Sequence, residues 1–339
     1  MKSGSWIPAR IPLPRKYRWT SKYLPYFSSF PNLHKSLTVQ TDLITSVELL
    51  EVSNCKVSRD FPTSTSLNIY QSTLNIEGEG GDIDAAILLD ISGSESFQHF
   101  VQDAMPILSL IAEVPDYLQN VPILIPQPAK SFKSFLSYIE AMRLPNKIVF
   151  ISPESVTYVK KLYVFNFKPF NMMYGLPSDL YHNSYRLVNG GDVAHSKNEG
   201  VLLLERKENS RNFKNFHQIS TQISTWANSQ NLSFSSIDTG TLEFKEIREK
   251  FHKAKFIFAI HGGANYNIVW ARLDTTLVEF IPVVATDSLS SLALSYGLNY
   301  MPFALNHDKG DFEFEIKEED LNSIFEILAS GNLDFDAER

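Results

Sequence analysis

One cysteine, Cys55, is all that the 339 residues contain, which excludes an intramolecular disulfide and any metal site built from several thiolates. A reducing compartment is the default that follows. No apolar run approaches the ~20 residues of a membrane-spanning helix, and prolines and charges interrupt the first residues where a secretory leader needs an unbroken apolar stretch. A cytoplasmic protein is the expectation. Acidic residues are missing from residues 1–41, which hold Lys2, Arg10, Arg15, Lys16, Arg18, Lys22 and Lys35; because the formal net charge is −7, everything beyond them is strongly acidic. A nucleic-acid binder would carry its positive charge on the folded domain, so that class is set aside. Two glycine fingerprints are missing as well: no G-x-G-x-x-G of a dinucleotide site and no G-x-S-x-G of an α/β-hydrolase.

What is present is the composition of a globular protein, 43% hydrophobic and 20% charged, with enough length for two domains that each bury a core. Three regions are expected: a basic arm over 1–41, an α/β domain over 42–185 and a second α/β domain over 186–339. In the arm the basic residues alternate with Trp6, Tyr17, Trp19 and Tyr23, a mixture suited to peripheral contact of residues 1–35 with an anionic membrane. Pro8, Pro12 and Pro14 forbid a regular amphipathic helix there. An ordered arm wrapped on the protein surface is the competing reading.

In the first domain, strands are expected at Leu43–Val57, Ser66–Ile76, Ala85–Leu89, Val121–Ile125, Lys147–Ile151 and Leu162–Phe167, with a turn over Glu77–Asp82 and a helix over Ser131–Met142. Another helix begins SFQHFVQDAMP, capped from Ser92, Ser94 or Ser96. Its His99 and Asp103 stand at i and i+4, within reach of each other, and Pro106 should end or kink it. Asp82-Ile83-Asp84 has the D-x-D form of some metal–diphosphate sites, a pattern too common to weigh much. Asn171–Asn198, with Gly175, Pro177, Gly190 and Gly191, reads as the connection between domains.

The second domain has a regular rhythm of strands at Val201–Glu205, Phe234–Ile237 and Tyr300–Ala304, and helices at Leu242–Lys253, Asp287–Tyr296 and Glu318–Ser330. Phe213, Phe216, Ile219, Ile223 and Trp226 follow one another at helical spacing. This is a doubly wound nucleotide-binding pattern.

Its centre is FIFAIHGGANYNIVWARLDTTLVEFIP, Phe256 to Pro282. Phe256–Ile260 has the continuous apolar character of a buried parallel strand and stops at His261. Gly262 and Gly263 allow positive φ and a close backbone approach, and the helical segment from Ala264 aims its first N–H groups at the strand's carboxyl end, a place that favours an anion. Thr276–Pro282 is a neighbouring strand whose Glu279 needs a partner or a ligand. The stretch is read as the floor of a ligand site.

These residues resemble glycosyltransferase family 61, whose signature is an apolar strand ending in His-Gly, an Asn six positions after the His, and a Val-Val-Glu-x-x-Pro strand. The matching positions are His261, Gly262, Asn267, Glu279 and Pro282. Two further segments agree: LLLERKENSRNFKN, with Arg206, Arg211 and Asn215, for the family's Arg and Arg-x-x-x-Asn; and the helix carrying His99 and Asp103. The resemblance spans roughly residues 85 to 305. Glu246 stands where the family usually has Gln, and Gly262-Gly263-Ala264 replaces Gly-Ala-Gly.

The resemblance implies a GT-B fold, two Rossmann-like domains facing across a cleft, and an inverting enzyme that moves a sugar from a nucleotide-sugar, UDP-linked by expectation, to a hydroxyl of a glycan or lipid-linked glycan in surface-polysaccharide or capsule synthesis. No metal cofactor is compulsory. Arg206, Arg211, Asn215, His261, Gly262, Gly263, Asn267 and Glu279 fall to the donor, with Glu279 a candidate for ribose hydroxyls; either His99 or Asp103 is the base. Each has a plainer alternative: a surface hydrogen bond for His99 and Asp103, ordinary ion pairs for the arginines and for Glu279. A hydrolase using the His-Gly-Gly turn as an oxyanion hole lacks its nucleophile motif, and a non-catalytic binding relative is the alternative that remains.

Overall fold

The computed structural model describes residues 9–18, 23–24, 27–28, 37–38, 44–59, 67–71, 83–89, 97–126, 133–151, 156–168, 178–190, 199–206, 212–282, 288–305 and 313–331. The chain divides into two compact units, one of Met1–Trp19 with Asp42–Val188 and one of Thr20–Thr41 with Asn189–Arg339.

The first unit is built on a mixed sheet in the order Ala9–Arg18, Ile44–Arg59, Val156–Lys168, Ile83–Leu88, Ile123–Pro126, Ile148–Ile151, with Leu67–Gln71 on the far half of Ile44–Arg59. The last four strands are mutually parallel, as βα units require. Ile44–Arg59 is antiparallel to both of its long neighbours. Here the expectation of a simple βα repeat gives way: the short strand expected at Leu162–Phe167 is the end of a 13-residue strand. The reason is an antiparallel ribbon whose inner face, Val52, Cys55 and Val57 against Val159 and Leu162, is buried along most of its length. Pro12 and Pro14 lie on the outermost strand, whose pairing shifts register between Pro12 and Lys16. An edge strand is where proline's missing N–H costs least.

Two helical features depart from the sequence reading. Pro106 neither ends nor sharply breaks its helix: Phe97–His99 is α-helical, Phe100–Ala104 widens into a π turn, and the helix resumes at Met105–Leu108. Proline cannot donate to the carbonyl one turn back and its ring crowds it, and the wider turn, closed by Met105 N–H on Phe100 C=O, relieves both problems. The segment expected as a connection contains an 11-residue helix, Ser178–Val188, that packs on the first unit against Met105–Leu108 and Lys133–Met142. Leu180, Tyr181, Ser184, Tyr185 and Val188 form its buried stripe.

The second unit has the expected pattern, except that Phe213, expected on the helix, lies in the short strand Asn212–Phe213 paired with Glu313–Phe314. The six strands of its main sheet are all parallel, in the order Ser233–Ile237, Gly200–Leu204, Ala254–Ile260, Thr276–Pro282, Asn299–Leu305, Phe27–Ser28. One face is covered by Phe216–Ser229 and Glu318–Ser330, with Trp226 stacked on Phe325 at 4.8 Å between ring centres. The helix Phe244–Lys253, the 3₁₀ segment Gly263–Trp270 and the helix Ser288–Ser295 lie together away from that core. Both units are thus α/β, the first on a mixed sheet and the second on a main sheet that is wholly parallel.

Candidate active site

Connections in the second sheet run outward in both directions from one point. From Gly200–Leu204 the chain passes to Ser233–Ile237 on one side, then returns to Ala254–Ile260 on the other and continues through Thr276–Pro282 to Asn299–Leu305. The strand order therefore reverses between Gly200–Leu204 and Ala254–Ile260. In open parallel sheets the crevice beyond the carboxyl ends at such a switch point is where ligands bind. Arg206 follows the first of these strands and His261 the second.

The two meet through Gly262. Its backbone is extended, φ 165° and ψ 176°, so it needs no glycine for conformational reasons. Space is the reason: a Cβ on Gly262 would overlap Nη1 of Arg206 and stand 3.0 Å from its Cζ. The guanidinium lies on the backbone of the turn. Gly263, by contrast, has nothing within 4 Å of where a Cβ would be and is not among the positive-φ glycines. The left-handed backbone that a glycine allows is found at neither; the expected close approach is found at one. The segment that follows is 3₁₀ rather than α over eight residues, and Asn265 to Trp270 are all buried.

His261 is set into the protein by both backbone and ring. Its N–H donates to Phe280 C=O at 2.9 Å, and its Nδ1 lies 2.7 Å from Glu279 Oε1. Glu279 is 1% exposed, inside an otherwise apolar strand. Such a carboxylate is tolerable only when its lone pairs are used. They are: Asn265 Nδ2 donates to Oε1 at 3.3 Å while also holding Ile260 C=O, and Tyr300 Oη donates to Oε2 at 2.5 Å. With Oε1 accepting, the hydrogen of the His261 ring resides on Nδ1, which directs Nε2 away from the carboxylate.

Sheet register explains the grouping. Glu279 is aligned with Ala259 on one neighbouring strand and with Pro302 on the other, while Tyr300 aligns with Leu277. Period-two alternation puts Ala259, His261, Leu277, Glu279 and Tyr300 on one face, opposite the large aromatic core, and the tyrosine reaches diagonally to the glutamate.

Two other residues expected at the donor site are turned to the chain itself. Asn267 is buried and donates to Ala264 C=O at 2.9 Å inside the 3₁₀ segment. Asn215 precedes the helix Phe216–Ser229, and its amide bonds the backbone of Ile316 in both senses, Nδ2 to the carbonyl at 2.8 Å and Oδ1 from the N–H at 3.4 Å. Arg211 lies outside the described residues, as does Asp82; Asp84 is exposed and ion-paired with Lys160 at 2.6 Å. Asn265 and Tyr300 were not singled out by sequence. The available signal was the glutamate itself, which required donors from the adjacent turn and strand.

In the first unit, His99 and Asp103 do meet, Nδ1 to Oδ2 at 2.8 Å, half-exposed and largely buried respectively. They flank the start of the π turn, which changes the angular offset between successive side chains. Glu246, the departure from the family pattern, forms a capping box: its Oε2 accepts from Glu243 N–H at 3.2 Å and the Glu243 side chain caps in return. Glutamine serves that position equally well.

Among the described residues no helix is long and apolar enough to cross a membrane, and no group of three or more His, Cys, Asp or Glu is arranged to hold a metal ion.

The second unit is a parallel α/β unit of the doubly wound class, with His261, Arg206 and Gly262 together at its switch point. Residues 97–278 match the family model Glycosyltransferase 61, more than half of the chain. The protein belongs to glycosyltransferase family 61, and membership implies an enzyme that transfers a sugar from a donor to an acceptor. No curated protein matches the chain. Among solved structures, the metal-soaked Flv1 flavodiiron core from Synechocystis sp. PCC6803 is similar at 11% identity, over 57% of this chain and 44% of that one, with a TM-score of 0.27, too slight to carry fold or function.

Proposed function

We propose that the protein is an inverting glycosyltransferase whose second unit binds a nucleotide-sugar at the switch point, with Arg206 and the turn after His261 receiving the diphosphate. The carrying observation is the guanidinium lying on Gly262 at the carboxyl ends of the two central strands. In glycosyl transfer the bond from the sugar's anomeric carbon to the diphosphate oxygen breaks, and negative charge develops on the leaving group. A fixed guanidinium and the backbone N–H groups at the head of the 3₁₀ segment are the groups suited to offset it. Arg211 is proposed as a further ligand.

The other half of the reaction needs a base for the acceptor hydroxyl. His99 and Asp103 are proposed for that role, with Asp103 on Nδ1 at 2.8 Å and Nε2 as the atom that takes the proton. UDP is the proposed carrier. The acceptor is a hydroxyl of a glycan or lipid-linked glycan of a surface polysaccharide such as a capsule, made on the cytoplasmic side, a setting to which the basic residues of 1–35 are suited.

A thermal-shift panel of UDP, GDP, CMP and their sugar conjugates, on wild type and Arg206→Ala, tests this. One nucleotide should raise the melting temperature, and the substitution should abolish the rise. If no nucleotide shifts the wild type, donor binding at this site is wrong.

A further inference from the structure

Glu279 is a costly residue at its position. The surrounding strand is apolar, the neighbouring strands bury it, and an aliphatic side chain of similar volume would satisfy the packing without desolvating a charge. Stability does not account for it. Instead the structure devotes a second buried group to its far oxygen: Tyr300, fully buried, reaches across two residues of register to place its hydroxyl 2.5 Å from Oε2, a short O–H···O separation. That bond fixes the rotation of the carboxylate plane. Asn265 brings an amide to the other oxygen but at 3.3 Å and shared with Ile260 C=O, so it is the weaker hold.

We propose that Tyr300 is a positioning residue for His261: by holding Oε2 it aims Oε1 of Glu279 at Nδ1, which keeps the ring hydrogen on Nδ1 and fixes the ring plane beside the turn on which Arg206 lies. That this turn receives the donor rests on the function proposed above; the hold on the ring does not. Tyr300 touches no substrate in this scheme. It acts through Glu279, much as an orienting carboxylate acts through a catalytic histidine, one bond further back.

Ring N–H resonances of the full chain labelled with ¹⁵N-histidine test it, the His261 signal among the eight histidines being identified by its loss in His261→Gln. Wild type should show a downfield, slowly exchanging Nδ1–H for His261. Tyr300→Phe, which keeps the ring and removes only the hydroxyl, should move that signal upfield and lose it to solvent exchange. Val278→Ala, buried on the opposite face of the same strand, should leave it in place even though it lowers the melting temperature. An absent downfield signal in wild type, an unchanged one in Tyr300→Phe, or equal loss in both variants overturns the proposal. Nucleotide titration of the same samples separates it from the donor reading: Tyr300→Phe should weaken binding by about tenfold, in the range of lost orienting partners. A perturbed His261 signal in a wild type that binds no nucleotide would leave the hold standing and remove its ligand.

Discussion

The guanidinium of Arg206 occupies the space that a side chain on Gly262 would fill. Two residues 56 positions apart in sequence are thereby coupled, and each explains the other: the glycine is small so that the arginine can lie on the backbone, and the arginine is held beside His261 because the glycine admits it.

Gly262→Ala should consequently behave like Arg206→Ala. The methyl cannot coexist with the guanidinium, which swings away, and any nucleotide-dependent rise in melting temperature should disappear while the fold survives at little cost, the displaced group being the far end of a flexible side chain. Gly263→Ala meets empty space and no backbone strain. It should retain the nucleotide response, measured by the same titration.

His99→Ala and Asp103→Asn should separate binding from chemistry. Nucleotide affinity should stay within about twofold of wild type, while turnover with an acceptor falls by about 10²- to 10⁴-fold, the usual worth of a general base. Equal turnover in wild type and both variants would mean that the pair is only a helix-surface hydrogen bond.

Mild acid should weaken the second unit through His252. Its Nε2 accepts from both Nε and Nη2 of Arg272, at 2.9 and 2.7 Å, and burial together with that guanidinium holds its pKa below the ordinary 6.5. The folded state therefore binds fewer protons than the unfolded one, so stability rises with pH in this window. The contribution is complete above about pH 6.5 and is lost as pH falls from there through the depressed folded value. His252→Gln keeps an acceptor for Arg272 and should flatten the difference between denaturation midpoints at pH 7.5 and 5.5, subtracting titrations such as that of Asp320, which both proteins share.

Glu246→Gln should be silent. The capping box works with either side chain, so the melting temperature should change by no more than the equivalent of about 0.5 kcal/mol. Glu246→Ala should cost about 0.5–2 kcal/mol through the lost cap.

The elements of the second unit were legible because each obeys one period: Phe256–Ile260 reads as a strand covered on both faces, Phe216–Trp226 as one helical stripe. The site's centre was legible for the same reason, since His261 and Glu279 interrupt apolar runs where nothing local requires them. What escaped depends on contacts distant in sequence. Tyr300 looks like any strand aromatic until register sets it beside Glu279. Gly262 looks like a turn glycine until Arg206 arrives over it. The stripe of Ser178–Val188 was present but diluted by His182, Asn183 and Arg186 on the other side, amid glycines and prolines that read as a linker. Pro106 was seen, but the π turn that accommodates it depends on how the helix is packed, with Phe100, Val101 and Ala104 all buried.

The outermost strand of the first sheet, Ala9–Arg18, has a bearing on solubility. A strand with one unpaired edge is a template on which a second chain can lay itself, and growth of that kind ends in aggregates. Pro12 and Pro14 remove backbone donors from this strand, and its register slips in the same few residues. Another copy meeting that border finds gaps in the ladder. The leader that completes the sheet also closes it to strangers.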